Sequence, residues 1–217
     1  MTPKKILLTI VGVIGLFGFL FLVYKLTNVD QNKIYEEINV IKSTDHSKWS
    51  LQKKNLLIEY SDFQCPACRN MHLLLNSFES TKSAVLDITK KITLVFRNFP
   101  LYQIHADAFD SAYAAEAAGI QNKFFEMADV LYQKQEEWAG KKDAKSFFIK
   151  YAQELQLDAE KFKTDMDSQK VKDKVQQDLN LGEKAGISTT PTFFLNGKRL
   201  EFQTVEEFIK ILQNTSN

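Results

Sequence analysis

The sequence predicts an α/β layer architecture with a helical insertion, preceded by a single N-terminal transmembrane helix. Three observations carry that reading. Short apolar runs at Leu56–Tyr60, Ile92–Phe96 and Thr192–Leu195 alternate with helical patterns. Residues 105–187 read as helix throughout, in several pieces, and Ile6–Tyr24 contains no charged residue. Composition narrows the class further. A chain of 217 residues has room for one ordinary domain and an appendage. With 44% hydrophobic and 25% charged residues, 8 Gly and 4 Pro, it is neither disordered nor collagen-like. Twenty-eight Lys and Arg against 27 Asp and Glu leave a net charge of +1, and so no basic field for nucleic acid. Two Cys are too few for a disulfide scaffold, and three His argue against a multi-metal site.

The elements follow in chain order. Ile6–Tyr24 would span roughly 28 Å as a helix, close to the thickness of the hydrocarbon layer. A cleaved signal peptide has a shorter apolar region and a small-x-small exit. Here the exit is Phe21-Leu22-Val23-Tyr24-Lys25, which favours an uncleaved anchor over residues 1–25 in contact with the lipid bilayer. Lys4 and Lys5 place the N-terminus on the cytoplasmic side and the rest of the chain outside, in a periplasm or at a cell surface. Residues 26–53 read as a polar stalk with a short amphipathic piece near Ile34–Ile41, and the domain occupies 54–217.

Within the domain, a buried strand at Leu56–Tyr60 leads to a helix beginning at Cys65, where Met71, Leu74, Leu75 and Phe78 recur at three- and four-residue steps. A second strand, Ile92–Phe96, ends at Asn98-Phe99-Pro100. The insertion opens with alanine-rich His105–Ala118, for which Gly119 is a natural C-terminal cap. Helices at Phe124–Trp138, Ala144–Leu155, Ala159–Met166 and Ser168–Lys184 follow, their aromatic residues expected in the core. Thr192–Leu195, the Asn196-Gly197 turn and Arg199–Phe202 form a hairpin, giving four strands in one sheet. Thr204 with Glu207 makes a capping box for a last helix, Val205–Gln213.

Both cysteines fall in Cys65-Pro66-Ala67-Cys68, where strand and loop hand over to helix. The first turn of a helix leaves amide N–H groups unpaired and carries partial positive charge. A thiolate at Cys65 is stabilised there, below the free-thiol pKa of about 8.5. Pro66 suits the first helical position, where its missing N–H costs nothing. Cys68, three residues on, shares a face with Cys65 and can attack its sulfur. That is the machinery of thiol–disulfide exchange. Other readings stand beside it. A structural disulfide would close a loop too short to restrict the unfolded chain much. A zinc site would add His72, with His105 or Asp62 as fourth ligand, though no second cysteine pair supports it. Haem attachment would need His after Cys68, where Arg69 stands.

Glu59 through Cys68, Phe96-Arg97-Asn98-Phe99-Pro100-Leu101 and Thr189-Thr190-Pro191-Thr192-Phe193 occur in this order over residues 55–213. Together they closely resemble the DsbA-like branch of the thioredoxin superfamily. The resemblance implies a thioredoxin-like fold interrupted by helices and dithiol–disulfide exchange on exported, unfolded or reduced polypeptides. It also implies no bound cofactor and no metal, and a membrane redox partner that re-oxidises or reduces the cysteine pair. Carried over by position, Cys65 is the exposed nucleophile, Cys68 the resolving thiol and Pro191 a cis-proline beside them. Thr190 would present backbone groups to an extended substrate, with Pro66 and Ala67 facing it and Phe63 on an apolar rim or in the core. Glu59 takes the place of a buried acid that exchanges a proton with Cys68, unless it faces solvent as an ordinary strand residue. Asp62 and Arg69 tune local charge or are simply solvated, and His105 is a surface or capping residue.

The sequence departs from the family at Ala67, where strong oxidases often carry His. Alanine supplies only shape, so a less oxidising potential is expected, and the direction of exchange stays open between oxidase and reductase or isomerase. An isomerase usually wants a dimeric cleft, for which Ile34–Ile41 is the available segment. A non-catalytic metal-binding or chaperone module is the alternative of a different class.

Overall fold

The computed structural model describes residues 2–27, 33–80 and 86–216. The chain forms two units, residues 1–33 and 34–217. The first is α1 (Pro3–Thr27). Its segment Pro3–Tyr24 is 22 residues long and contains an 18-residue window with a mean hydropathy of 2.9, in which no described residue is buried. At about 1.5 Å per residue it reaches roughly 33 Å, enough to cross a bilayer.

The second unit is built on one sheet. β1 (His46–Trp49), β2 (Asn55–Ser61), β3 (Ile92–Asn98), β4 (Thr192–Leu195) and β5 (Lys198–Arg199) lie in the order β1-β3-β2-β4-β5. β2 and β3 are parallel, pairing Glu59 with Phe96, and the other three pairings are antiparallel. The continuous apolar text of β2 and β3 reflects their central place, with layers on both faces. Leu57 packs with Met71, Leu75 and Phe78 of α2 (Pro66–Ser80), whereas Leu56, Ile58 and Tyr60 face the opposite layer with Leu179 and Ile187. The crossover to β3 includes α3 (Leu86–Lys91), which the sequence reading did not foresee. At the hairpin, Asn196 (φ 50°) and Gly197 (φ 79°) take the left-handed conformations that a two-residue turn needs.

Two expectations are corrected here. Of the stalk expected at 26–53, residues 28–32 lie outside the described residues, and residues 34–53 belong to the folded unit. Ile38 is fully buried, Tyr35 N–H donates to the Gly197 carbonyl, and β1 adds a fifth strand against β3. The amphipathic piece at Ile34–Ile41 therefore covers its own sheet. Polarity hid this segment, because buried Arg97 holds it through polar groups, donating to the Ile38 and Val40 carbonyls and to the Asp45 carboxylate. Gly119 is also not a cap. It lies inside α4 (Ala108–Ile120), where a Cβ would stand 2.6 Å from His46 Cε1. The requirement is a close approach between helix and strand, not a turn.

The helical block comprises α4, α5 (Phe124–Gln133), α6 (Gln135–Trp138), α7 (Ala144–Glu154), α8 (Ala159–Asp167) and α9 (Gln169–Lys184). Asp143, Asp158 and Ser168 cap the last three, each accepting from an amide of the first turn. Phe124, Tyr132, Trp138 and Phe148 form a core that continues through Phe63 and Phe96 to Cys65 and Cys68. The insertion is thus the wall that buries one side of the cysteine pair. α10 (Val205–Ser216) closes the fold, with Thr204 accepting from Glu207 N–H and the Glu207 carboxylate accepting from Gln203 N–H.

Candidate active site

The site starts where β2 stops. Asp62 turns the chain: its carboxylate accepts from Gln64 N–H at 2.8 Å, and its carbonyl accepts from Cys65 N–H at 3.1 Å. The second carboxylate oxygen accepts from Leu101 N–H and His105 Nδ1, each at 2.8 Å. Asp62 is buried, not solvated. It ties the 99–105 loop to the cysteine loop, and His105 is its partner rather than a free surface residue. From α6, the Gln135 side-chain amide donates to the Phe63 and Cys65 carbonyls at 2.7 and 3.1 Å. No local sequence signal marks Gln135, because its partners lie about 70 residues earlier in the chain.

Helix α2 begins at Pro66, so Cys65 stands at its cap and Cys68 in its first turn. Both are free thiols. Cys68 is wholly enclosed, whereas Cys65 keeps 7% of its surface and opens into a cleft. The two sulfurs are electrostatically opposite. The Cys65 thiol is brought down to about 5, chiefly by the Cys68 S–H turned toward it. Burial opposes that shift, while the Cys68 and Ala67 amides and the Thr190 hydroxyl, which has no other partner, reinforce it. Burial pushes Cys68 well above an ordinary thiol, and negative charge at Cys65 pushes it further. The pair thus favours a thiolate at the accessible sulfur and a thiol at the enclosed one.

Across from the pair, the Thr190–Pro191 peptide bond is cis, and the Thr190 carbonyl accepts the Cys65 thiol at 3.5 Å. Pro66 and Ala67 are exposed beside it. A cleft of about 530 Å³ lies on one side, with Cys65, Leu101, Tyr102, Ile104 and Thr190 in its walls. Another of about 440 Å³ lies on the other, bounded by Ala67, Leu74, Pro191, Phe202 and Val205. Tyr102 and Ile104 are strongly exposed apolar side chains next to the reactive sulfur.

Two further expectations change. Phe63 offers no rim to a substrate: it is fully buried, stacked on Phe96 at 5.1 Å and against Tyr132 at 5.0 Å. His72 does not turn toward the cysteines as a zinc ligand. Its Nε2 lies 2.7 Å from Asp129, with Asn76 bridging both. Among the described residues no group of three His, Cys, Asp or Glu side chains is arranged to hold a metal. Glu59 faces the interior, enclosed beneath the cysteine helix, and burial raises its carboxyl pKa.

A family model described as Thioredoxin matches residues 50–214. A Na(+)/H(+) antiporter, NhaA 3 of Salinispora tropica, is 31% identical over 155 residues, 71% of this chain and 22% of that protein. The chain therefore spans about a quarter or less of the curated relatives it matches. Among solved structures, oxidised BdbD from Bacillus subtilis superposes with a TM-score of 0.67 at 17% identity, covering 80% of this chain and 92% of that one. Wolbachia pipientis alpha-DsbA1 gives a TM-score of 0.67 at 20% identity, covering 84% and 97%.

Proposed function

The chain belongs to the thioredoxin family, whose model matches residues 50–214, and from that premise we propose that it is a membrane-anchored, DsbA-like thiol–disulfide oxidoreductase acting outside the cytoplasm. It catalyses disulfide formation in exported proteins through Cys65 and Cys68. α1 holds it to the bilayer with the N-terminus inside, consistent with Lys4 and Lys5 before the apolar run. The observation that carries the reading is the placement of the two sulfurs: Cys65 at the cap of α2, open to the cleft, and Cys68 enclosed in the first turn.

In the oxidising direction a substrate thiolate attacks Cys65 Sγ of the Cys65–Cys68 disulfide. The S–S bond breaks, its electron pair stays on Cys68, and Cys68 takes up a proton. A second substrate thiolate then attacks the substrate sulfur of the mixed disulfide and expels Cys65 as a thiolate. The substrate loses two electrons to the pair, which a quinone-linked membrane protein re-oxidises. Exchange favours a leaving thiol of low pKa, and stabilising the Cys65 thiolate makes the disulfide a stronger oxidant. The Thr190 backbone beside the sulfur and the apolar walls at Tyr102 and Ile104 suit an extended, unfolded polypeptide.

Ala67 in place of a histidine supports the opposite direction, a reductase or isomerase, because one cation near Cys65 is lost. Equilibration with glutathione decides. The oxidase reading expects a reduction potential less negative than about −270 mV, the value of thioredoxin. A potential at or below that value would make the chain a reductase.

A further inference from the structure

The cleft beside Cys65 holds an imidazole that the exchange steps above leave unused. His105 stands in the same wall as Cys65 and Thr190. Its Nδ1 lies 2.8 Å from Asp62 Oδ2, with the Asp62 side chain fully enclosed and 17% of the His105 side chain exposed. Backbone amides can only donate, and Asp62 accepts one at each oxygen, Gln64 N–H at Oδ1 and Leu101 N–H at Oδ2. The carboxylate is therefore an acceptor throughout, and Nδ1 is the donor to it. That fixes the neutral imidazole as the Nδ1–H tautomer. Nε2, with no hydrogen-bond partner among the described residues, is left as the basic nitrogen on the cleft side.

The imidazole is held from several sides. His105 N–H donates to the Leu101 carbonyl at 3.0 Å, and Asp107 N–H donates to the Gln64 side chain at 2.7 Å. Asp62 also accepts Cys65 N–H at its carbonyl, so one residue sets both the ring and the reactive sulfur. The other titratable groups in the cleft wall are Cys65, Tyr102 and Glu183 of α9, while the Asp107 carboxylate turns away to Gly140 N–H. An acid that orients an imidazole whose second nitrogen meets a reacting group is the arrangement that activates nucleophiles. The nucleophile in need of activation here is the incoming one. A free thiol is only about 3% thiolate at pH 7, and the thiolate is the form that attacks a disulfide.

We propose that His105, oriented by Asp62, is the general base for the substrate: Nε2 takes the proton of a cysteine thiol seated in the cleft and holds the thiolate beside Cys65. This role rests on the exchange activity proposed above. The substrate S–H bond breaks and an N–H bond forms at Nε2. The thiolate then bonds to Cys65 Sγ as the Cys65–Cys68 bond breaks, and the electron pair passes to Cys68. The imidazolium stands against the Asp62 carboxylate until it returns its proton to solvent. In the reverse direction, the Cys68 thiolate attacks Cys65 Sγ of a mixed disulfide, and the imidazolium protonates the substrate thiolate that leaves.

The test uses the full-length chain with the Cys65–Cys68 disulfide formed, its opening by a cysteine-containing peptide followed in single turnover across pH. His105→Asn removes the base and keeps an N–H donor for Asp62. It is expected to slow opening at pH 7 by about 10- to 30-fold, the upper figure being the reciprocal of the free thiolate fraction. The variant's rate should rise about tenfold per pH unit up to about pH 8, more steeply than the parent's, and meet the parent's near pH 9, where free thiolate is abundant. A phosphine reductant attacks the disulfide without bringing a thiol proton, so parent and variant should react with it at equal rates. Equal slowing toward thiol and phosphine would overturn the base, because it would mean a displaced Cys65. So would a variant that keeps the parent's rate and pH profile with the thiol. If the phosphine opens the parent's disulfide and no thiol does, the exchange reading fails, and this role with it.

Discussion

Replacing Cys68 with alanine is expected to stop turnover and leave the chain covalently joined to its substrates. Cys65 keeps its place at the helix cap, its opening to the cleft and the amides of the first turn. It therefore still accepts a sulfur partner. What is lost is a second sulfur held in the same turn, which acts at an effective concentration that no free thiol reaches. Release of a stalled partner should fall on the order of 1000-fold or more. Non-reducing electrophoresis and mass spectrometry of membranes expressing Cys68→Ala should show adducts that vanish on reduction and are absent from Cys65→Ala/Cys68→Ala. Full turnover without adducts would contradict the assignment of roles.

The largest effect on stability is expected at Arg97. Its guanidinium is buried and makes a two-pronged contact with the Asp45 carboxylate, at 2.8 and 3.3 Å. It also donates to the Ile38 and Val40 carbonyls and the Tyr60 hydroxyl. Burial pushes the Asp45 pKa up, but the Arg97 hydrogen bonds and charge outweigh it and hold the carboxyl below its usual range. Arg97→Met leaves that carboxylate buried, with the Lys42 N–H at 2.9 Å and the Lys174 ammonium at 3.7 Å to answer it. A loss of about 3–5 kcal/mol is expected, the scale for breaking a buried pair. In a domain of this size that lowers Tm on the order of 10 °C. Arg97→Met/Asp45→Leu should recover part of the loss, since no lone charge remains. A scanning calorimetry shift under 2 °C for the single variant would show that the 34–45 segment is held by something else.

The two elements tied by that pair differ in how readable they are from sequence. β2 and β3 announce themselves, because a central strand covered on both faces needs an unbroken apolar run. The segment from Ile34 to Trp49 does not. It is polar because its partner is a buried guanidinium, and an arginine within an apolar strand gives no hint of which residues it will bind. The cysteine pair was legible from motif and spacing, since a strand hands over to a helix start within a few residues, while the cis peptide bond at Pro191 and the burial of Glu59 agree with what the family resemblance implied. Tyr132 and Gln135 reach the site from the insertion, about 70 residues away in sequence, so only the folded core reveals them. Phe63 was ambiguous for the opposite reason. Adjacency to a reactive cysteine says nothing about which side of the loop an aromatic ring takes.

The direct test of the account is the pH dependence of Cys65 alkylation by iodoacetamide in the reduced full-length chain, where enclosed Cys68 stays silent. The helix cap, the neighbouring thiol and the amides of the first turn predict a rate that reaches half its plateau near pH 5. A midpoint near pH 8.5, where a free cysteine titrates, would contradict it.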